Sequence, residues 1–113
     1  MNSETLKATD DYSAAKSTHP RVSLADMEGK IATEAYFTAG AAGDALGIPM
    51  HESAKLLTIC ILTMNNGFTI VGKSAPASPE NFDPEKGNRF AYEDAIKQLW
   101  PLEGYALREK LSA

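Results

Sequence analysis

Apolar residues recur at helical spacing in the first third of the chain, where one face of a helix would carry Leu24, Met27, Ile31 and Ala35. Ser23 is a favourable N-cap, and Asp26 follows three residues later, as in a capping box. The pattern therefore predicts a first helix that begins at Ser23 and ends with Tyr36 and Phe37.

The strongest local pattern is a β-hairpin. Residues 56–64 read LLTICILTM and residues 68–74 read FTIVGKS, with Asn66-Gly67 between them as a pair that favours a tight turn with positive φ at both positions. Both alternating sets of the first strand are apolar, namely Leu57, Ile59 and Ile61 on one face and Cys60, Leu62 and Met64 on the other. A strand of this kind needs cover on both faces. Because two strands are marginally stable alone, we expect a third strand or pairing with another copy.

The C-terminal third predicts a Pro-rich connector and two helices. Asp83-Pro84 is a typical helix start, with an Asx cap followed by proline at the first helical position. The core face of this helix would consist of Ala91, Tyr92, Ala95, Ile96, Leu99 and Trp100, and Phe90 falls on the opposite side. Pro101 should end the helix, and a shorter amphipathic helix follows it.

These patterns together predict a small single-domain α+β fold, in which a central antiparallel β-hairpin packs against an N-terminal helix and two C-terminal helices. Residues 1–21 are polar and small, so we predict a flexible N-terminal arm, with the domain over residues 22–113. An arm that becomes ordered on a neighbouring subunit is the alternative. The Gly-rich segment at residues 40–47 is interpreted as a loop or a short helix with close backbone contacts.

Composition adds restrictions on function. The chain has 113 residues, 43% of them apolar, and a net charge of −4. Nucleic-acid binding normally requires a basic face, so no nucleic acid is expected as a partner. No apolar run approaches the length of a membrane span, and the single cysteine, Cys60, fits a reducing cytoplasm.

The chain shows no catalytic or metal-binding pattern. His19 and His51 are its two histidines, and neither has the spacing of a zinc site. Cys60 lies within the most apolar strand, away in sequence from basic residues, and is interpreted as a buried structural residue. We therefore expect no catalytic residues, no metal, no cofactor and no enzyme activity.

The motif SPENFD, residues 78–83, is the best candidate for a binding site. Its prolines stiffen the loop, and its side chains offer amide and aromatic groups for recognition. A structural explanation is the favoured alternative, because capping accounts for the position of the motif: Asp83 caps the next helix, Phe82 fills the core and Asn81 satisfies the loop backbone. Candidate binding residues are Tyr36, Phe37, Glu80, Asn81, Phe82, Arg89 and Phe90.

Three segments carry a family resemblance: EAYFTAG at residues 34–40, LTICILTMNNGFTIVGKSAPASPENFD at 57–83, and AYEDAIKQLWPLEGYALREKL at 91–111. They resemble the gene-forty-nine/gene-sixty-six family of small tailed-phage proteins. The resemblance implies a phage or prophage origin and a place in the bacterial host cytoplasm. It transfers no catalytic residue. Pro76 stands where the family often has a cysteine.

Three functions follow as hypotheses. The first is a phage accessory binding protein, a stoichiometric antagonist of a host defence or metabolic system that binds a host protein or sequesters a small nucleotide-like signal. The others are a phage structural or assembly subunit and a small enzyme of unknown reaction. The two apolar faces of the hairpin strand predict that the protein also binds itself, most simply as a homodimer and otherwise as a higher homo-oligomer.

Overall fold

The computed structural model describes residues 3–113 and confirms the α+β class, with one antiparallel sheet packed against helices. The helices are α1 (Glu4–Lys16), α2 (Leu24–Glu28), α3 (Ala39–Leu46) and α4 (Pro84–Leu111). The strands are β1 (Ile31–Thr38), β2 (Thr58–Met64) and β3 (Thr69–Ser74). Two short 3-10 helices, Glu52–Leu56 and Pro79–Asn81, complete the described part of the chain.

The three strands lie in the order β1-β2-β3, and both neighbouring pairs are antiparallel. The strand register fixes two faces. On the inner face, Cys60 pairs with Tyr36 of β1 and with Gly72 of β3. On the outer face, Ile61 pairs with Ala35 and Val71. The inner residues of β2 are buried and its outer residues are half-buried, so the sheet is covered on one side.

Helix α4 covers the inner face of the sheet with the apolar side that the sequence predicts to be buried. Its buried positions belong to one core with residues of α1, α2, β2 and β3. Gly72 makes the approach close, because a Cβ atom built there would lie 2.0 Å from the Ala91 carbonyl oxygen and 2.7 Å from the Ala95 nitrogen. Strand β3 and helix α4 therefore meet backbone to backbone at this point.

Helix α4 also occupies the outer edge of β3. The Lys73 backbone N–H donates to Asp94 Oδ2 at 2.9 Å, and Gln98 Nε2 donates to the Val71 carbonyl at 2.8 Å. Side chains of α4 thus bond the backbone groups of β3 that an additional strand at this edge would have to pair with. Strand β1 forms the opposite edge of the sheet.

The first predicted helix is wrong in its second half. Ser23 caps α2 as expected, accepting from the Asp26 N–H at 3.0 Å, but the helix ends at Glu28. Residues 31–38 form β1, the third strand that the hairpin needs, so Tyr36 and Phe37 lie on a strand. The helical spacing of apolar residues was accidental here, and β-branched and aromatic residues favour the strand.

The segment predicted to be a flexible arm contains helix α1, a correction to that expectation. Ser3 caps the helix, and Leu6 is buried in the core of its own domain. Asp10 accepts from Arg21 Nη1 at 2.7 Å and from the Leu24 N–H at 2.9 Å, which ties α1 to the start of α2. Met1 and Asn2 lie outside the described residues, and the domain boundary after residue 21 stays a prediction.

The predicted break at Trp100-Pro101 is also wrong, because α4 continues through Pro101 to Leu111. Pro101 removes the hydrogen bond that would reach the Lys97 carbonyl. Both residues are exposed, so water can take the place of the lost donor. Trp100 Nε1 donates to the Val22 carbonyl at 3.3 Å and anchors this part of the helix.

Two glycines, Gly67 in the hairpin turn and Gly47 at the end of α3, adopt positive φ. Gly67 has φ 87°, and no non-glycine residue among those described has positive φ, so Asn66 does not adopt the predicted conformation. The Gly67 N–H donates to the Met64 carbonyl at 2.9 Å, as expected for a three-residue hairpin loop with glycine in the left-handed position. The Gly-rich segment at 40–47 forms α3, and Gly47 ends it with φ 68°.

Gly72→Ala should lower the free energy of unfolding by about 1–3 kcal/mol or more, because the new methyl group meets backbone atoms that cannot rotate away. Gly104→Ala is the matched control, since nothing lies within 4 Å of its Cβ position, and it should be neutral or gain up to about 1 kcal/mol of helix propensity. Urea unfolding measures both. Equal stability of Gly72→Ala and wild type would contradict the contact.

Candidate functional site

A cleft of about 150 Å³ lies where β3, the Pro-rich connector and the start of α4 meet. It is lined by Ser74, Ala75, Pro76, Asn81, Phe82, Asp83, Lys86, Gly87 and Phe90. Three of the residues predicted from sequence, Asn81, Phe82 and Phe90, therefore share one cleft. We call it the SPENFD cleft.

Local geometry explains how the cleft is built. The 3-10 helix at Pro79–Asn81 turns the connector back toward α4. Asp83 caps α4 by accepting from the Glu85 N–H at 2.9 Å, which confirms the capping role. Gly87 lets the first turn of α4 pack onto β2, since a Cβ atom there would lie 2.5 Å from Thr58 Oγ1.

The groups around the cleft suit recognition. Phe82 is half-buried and forms a wall, and the Phe90 ring is 51% exposed. Asn81 is exposed and can both donate and accept hydrogen bonds. Lys86 adds a positive charge in the first turn of α4, close to the positive end of the helix dipole. The cleft thus combines apolar rings, an amide and a cation.

Glu80 lies beside the cleft but does not line it. Its side chain is exposed and accepts a short hydrogen bond from Ser78 Oγ. This hydrogen bond lowers the pKa of Glu80 below its usual value. Glu80 is therefore a weaker proton acceptor than an ordinary glutamate.

The other predicted residues are separated from the cleft. Tyr36 and Phe37 lie on β1, two strands away from β3, and point to opposite faces of the sheet. Arg89 lies on α4 with its Nε 3.6 Å from Glu93 Oε1. Glu93 is buried and also accepts from Ser3 Oγ, so Arg89 belongs to a contact that links α1 to α4.

Tyr36 and Cys60 lie opposite each other on the inner face, where Cys60 is fully buried and Tyr36 is half-buried. The Tyr36 hydroxyl donates to Glu34 Oε1 at 2.6 Å. Burial raises the pKa of the Tyr36 hydroxyl above its usual value, and this hydrogen bond raises it further. Burial also raises the pKa of the Cys60 thiol to about 11. The geometry supports the interpretation of Cys60 as a structural thiol.

A larger groove of about 480 Å³ lies at the other end of the molecule, between the hairpin turn and the second half of α4. Its lining is largely apolar and comprises Lys30, Met64, Asn65, Asn66, Phe68, Leu99, Leu102, Glu103 and Ala106. Lys30 Nζ bonds Glu103 Oε2 at 2.6 Å beside it. Sequence reasoning missed this groove because it requires α4 to continue past Pro101.

Among residues 3–113, no group of histidine, cysteine or carboxylate side chains could hold a metal ion. His51 Nδ1 accepts from the Ser53 N–H at 3.1 Å and caps a 3-10 helix, while His19 is exposed. In the same residues, no helix is long and apolar enough to cross a membrane.

A family model described as the phage protein (N4 Gp49/phage Sf6 gene 66) family matches residues 22–111, and the chain belongs to this phage protein family. The match covers the three strands, α2, α3 and α4, and leaves out α1. No curated protein and no solved structure matches the chain.

Cys60 should react very slowly with thiol reagents at pH 8 in the folded protein, because it is fully buried and its thiol has a raised pKa. Colour release from Ellman's reagent, with and without urea, measures the rate. The reaction should accelerate strongly on unfolding. Equal rates in the two conditions would show that the thiol is accessible in the native protein.

Proposed function

We propose that this phage protein is a non-catalytic binding protein that antagonises a bacterial host system stoichiometrically. The observation that carries the proposal is the SPENFD cleft, which gathers Asn81, Phe82, Lys86 and Phe90 around one opening. The ligand favoured by this chemistry is a small nucleotide-like signal, which the protein holds and thereby removes from the host.

The ligand class follows from the groups in the cleft. A planar base would pack against Phe82 or Phe90, and its polar edge would meet the Asn81 amide. Phosphate oxygens would be attracted to Lys86 and to the start of α4. Ligand pockets usually exceed about 300 Å³, so a cleft of about 150 Å³ would enclose one part of such a molecule and leave the rest exposed.

Binding without turnover is supported by the state of the groups that chemistry would need. A reaction requires a poised base, nucleophile or metal. Glu80 has a lowered pKa and is engaged by Ser78. Cys60 is buried on the inner face of the sheet and has a raised pKa.

A host protein is the second candidate ligand, and the exposure of Phe90 favours it. An aromatic side chain that is half exposed beside a concave surface is typical of an interface anchor. In this case the cleft would receive a side chain of the host protein, and the antagonism would arise by blocking that protein's own contacts.

Asn81→Ala should weaken nucleotide binding roughly 10- to 100-fold, the equivalent of one hydrogen bond to a polar or charged group. Titration calorimetry with a panel of adenine and guanine nucleotides measures this, and chromatography of the mixtures should show no product. Asn65→Ala, at the far hairpin turn, is the control and should bind as wild type. A nucleotide consumed by wild type but not by Glu80→Gln would overturn the non-catalytic proposal.

Phe90→Asp separates the two candidates when it is compared with Asn81→Ala. If the ligand is a host protein, Phe90→Asp should abolish its capture from host extract and Asn81→Ala should not. Tyr105→Asp is the matched control, because Tyr105 is another exposed aromatic residue of α4 outside the cleft. Equal loss with Phe90→Asp and Tyr105→Asp would point to general damage of α4.

A further inference from the structure

The outer face of the sheet is a regular surface with an apolar centre and little charge, and the cleft does not use it. Nine side chains form three rows across the strands β1, β2 and β3, and we call this surface the outer grid. Its rows, read from β1 to β3, are Thr33-Thr63-Thr69, Ala35-Ile61-Val71 and Phe37-Ile59-Lys73.

The outer grid is open to solvent in the single chain. Val71 is 52% exposed and Phe37 is 38% exposed, and the central isoleucines are only half-buried. Helix α4 packs on the inner face and therefore leaves this side uncovered. An uncovered sheet face with an apolar centre is a candidate interaction surface.

The low charge of the outer grid indicates what kind of partner it could bind. Lys73 is its one charged member, so the surface has nothing that would specify a strongly charged partner. Like-charge repulsion is confined to a single position at the β3 edge. A face with so little charge can pack against the same face of a second copy, provided that Lys73 of one copy does not lie opposite Lys73 of the other.

Of the two-fold arrangements that keep the two lysines apart, one also gives Lys73 an aromatic partner. A two-fold axis parallel to β2 and between two facing sheets places β1 of one copy over β3 of the other. Phe37 then faces Lys73 of the other copy in the same row, and Ala35 faces Val71. The cation lies over an aromatic ring, and a small side chain meets a larger one.

We propose that the outer grid is the interface of a homodimer, in which two sheets pack face to face with this two-fold axis along β2. Ile59 and Ile61 meet their own copies at the centre, where aligned sheets pack about 10 Å apart. The proposal does not depend on the SPENFD cleft, which lies on the α4 side of β3.

Sheet edges do not offer an equal alternative at β3. Asp94 and Gln98 of α4 already bond the outward backbone groups of Lys73 and Val71. A second copy that added its strand at this edge would have to displace both side chains. Face-to-face packing leaves these hydrogen bonds intact.

The available area predicts a reversible dimer. Three strands about 4.8 Å apart and about five residues long cover a few hundred Å², well below the roughly 800 Å² per partner of a standard interface. The mass should therefore depend on concentration.

Sedimentation equilibrium of the full chain from about 5 μM to about 500 μM, a range suited to a weak interface, tests the dimer. The average mass should rise from near 12.2 kDa toward twice that value. A mass of 12.2 kDa throughout would overturn the proposal and leave the outer grid to a different partner.

Substitutions then locate the interface. Ile61→Asp should keep the protein monomeric, since it places two carboxylates on the symmetry axis. Leu102→Asp is the control, because Leu102 is half exposed on α4, and it should dimerise as wild type. Far-UV circular dichroism and the melting temperature report folding, and Ile61→Thr, which suits a strand, should weaken association while keeping the fold. Undiminished dimerisation of folded Ile61→Thr and Ile61→Asp would overturn the proposal.

A pair of acidic substitutions tests the orientation of the two copies. Phe37→Glu brings a carboxylate to Lys73 of the other copy, so the dimer should persist and become salt-sensitive. Val71→Glu places its carboxylate against Ala35 and should break the dimer. If Phe37→Glu abolishes dimerisation as completely as Val71→Glu, the axis along β2 is wrong.

Discussion

The close contact between Gly72 of β3 and helix α4 sets the position of the long helix on the sheet. Because Gly72 has no side chain, the backbone of β3 can touch α4 at Ala91 and Ala95. This contact sets α4 directly on the inner face and brings Asp94 and Gln98 to the edge of β3. The same placement begins α4 beside the end of β3, where the SPENFD cleft forms. A larger residue at position 72 would separate the two layers and change all three features together.

Covering one face so closely leaves the other face open. The single long helix accounts for the burial of Cys60, Leu62 and Met64, but none of the described helices packs over Ile59 and Ile61 in the same way. The cleft on the helix side and the outer grid on the sheet side are therefore separate surfaces. The proposed binding of a ligand and the proposed association of two copies would then not compete for the same side chains.

Much of this fold could be predicted from local chemistry. The caps at Ser23 and Asp83, the hairpin and the buried side of α4 each rest on interactions within a few residues, and the structure confirms them. Residues 31–38 were assigned wrongly because their apolar spacing suits a helix, whereas the need of β2 for a neighbour decides in favour of a strand. Pro101 and α1 depend on solvent exposure and on the buried contacts of Leu6 and Ser3, which no local pattern shows. In the candidate site, Asn81 and Phe82 lie together because they are neighbours in the sequence. The fold of α4 brings Phe90 to the same cleft. The positions of Tyr36, Phe37 and Arg89 depended on tertiary structure.

Helix α4 covers one face of the sheet, and we propose that a second copy covers the other. Isotope-filtered nuclear Overhauser spectroscopy on a mixture of labelled and unlabelled protein tests it most directly, because it detects contacts between copies alone. We expect contacts between the Ile61 methyl groups of the two copies, and between the Phe37 ring of one copy and the Lys73 side chain of the other. Intermolecular contacts that fall on α4, or none at concentrations where the protein is fully associated, would contradict it.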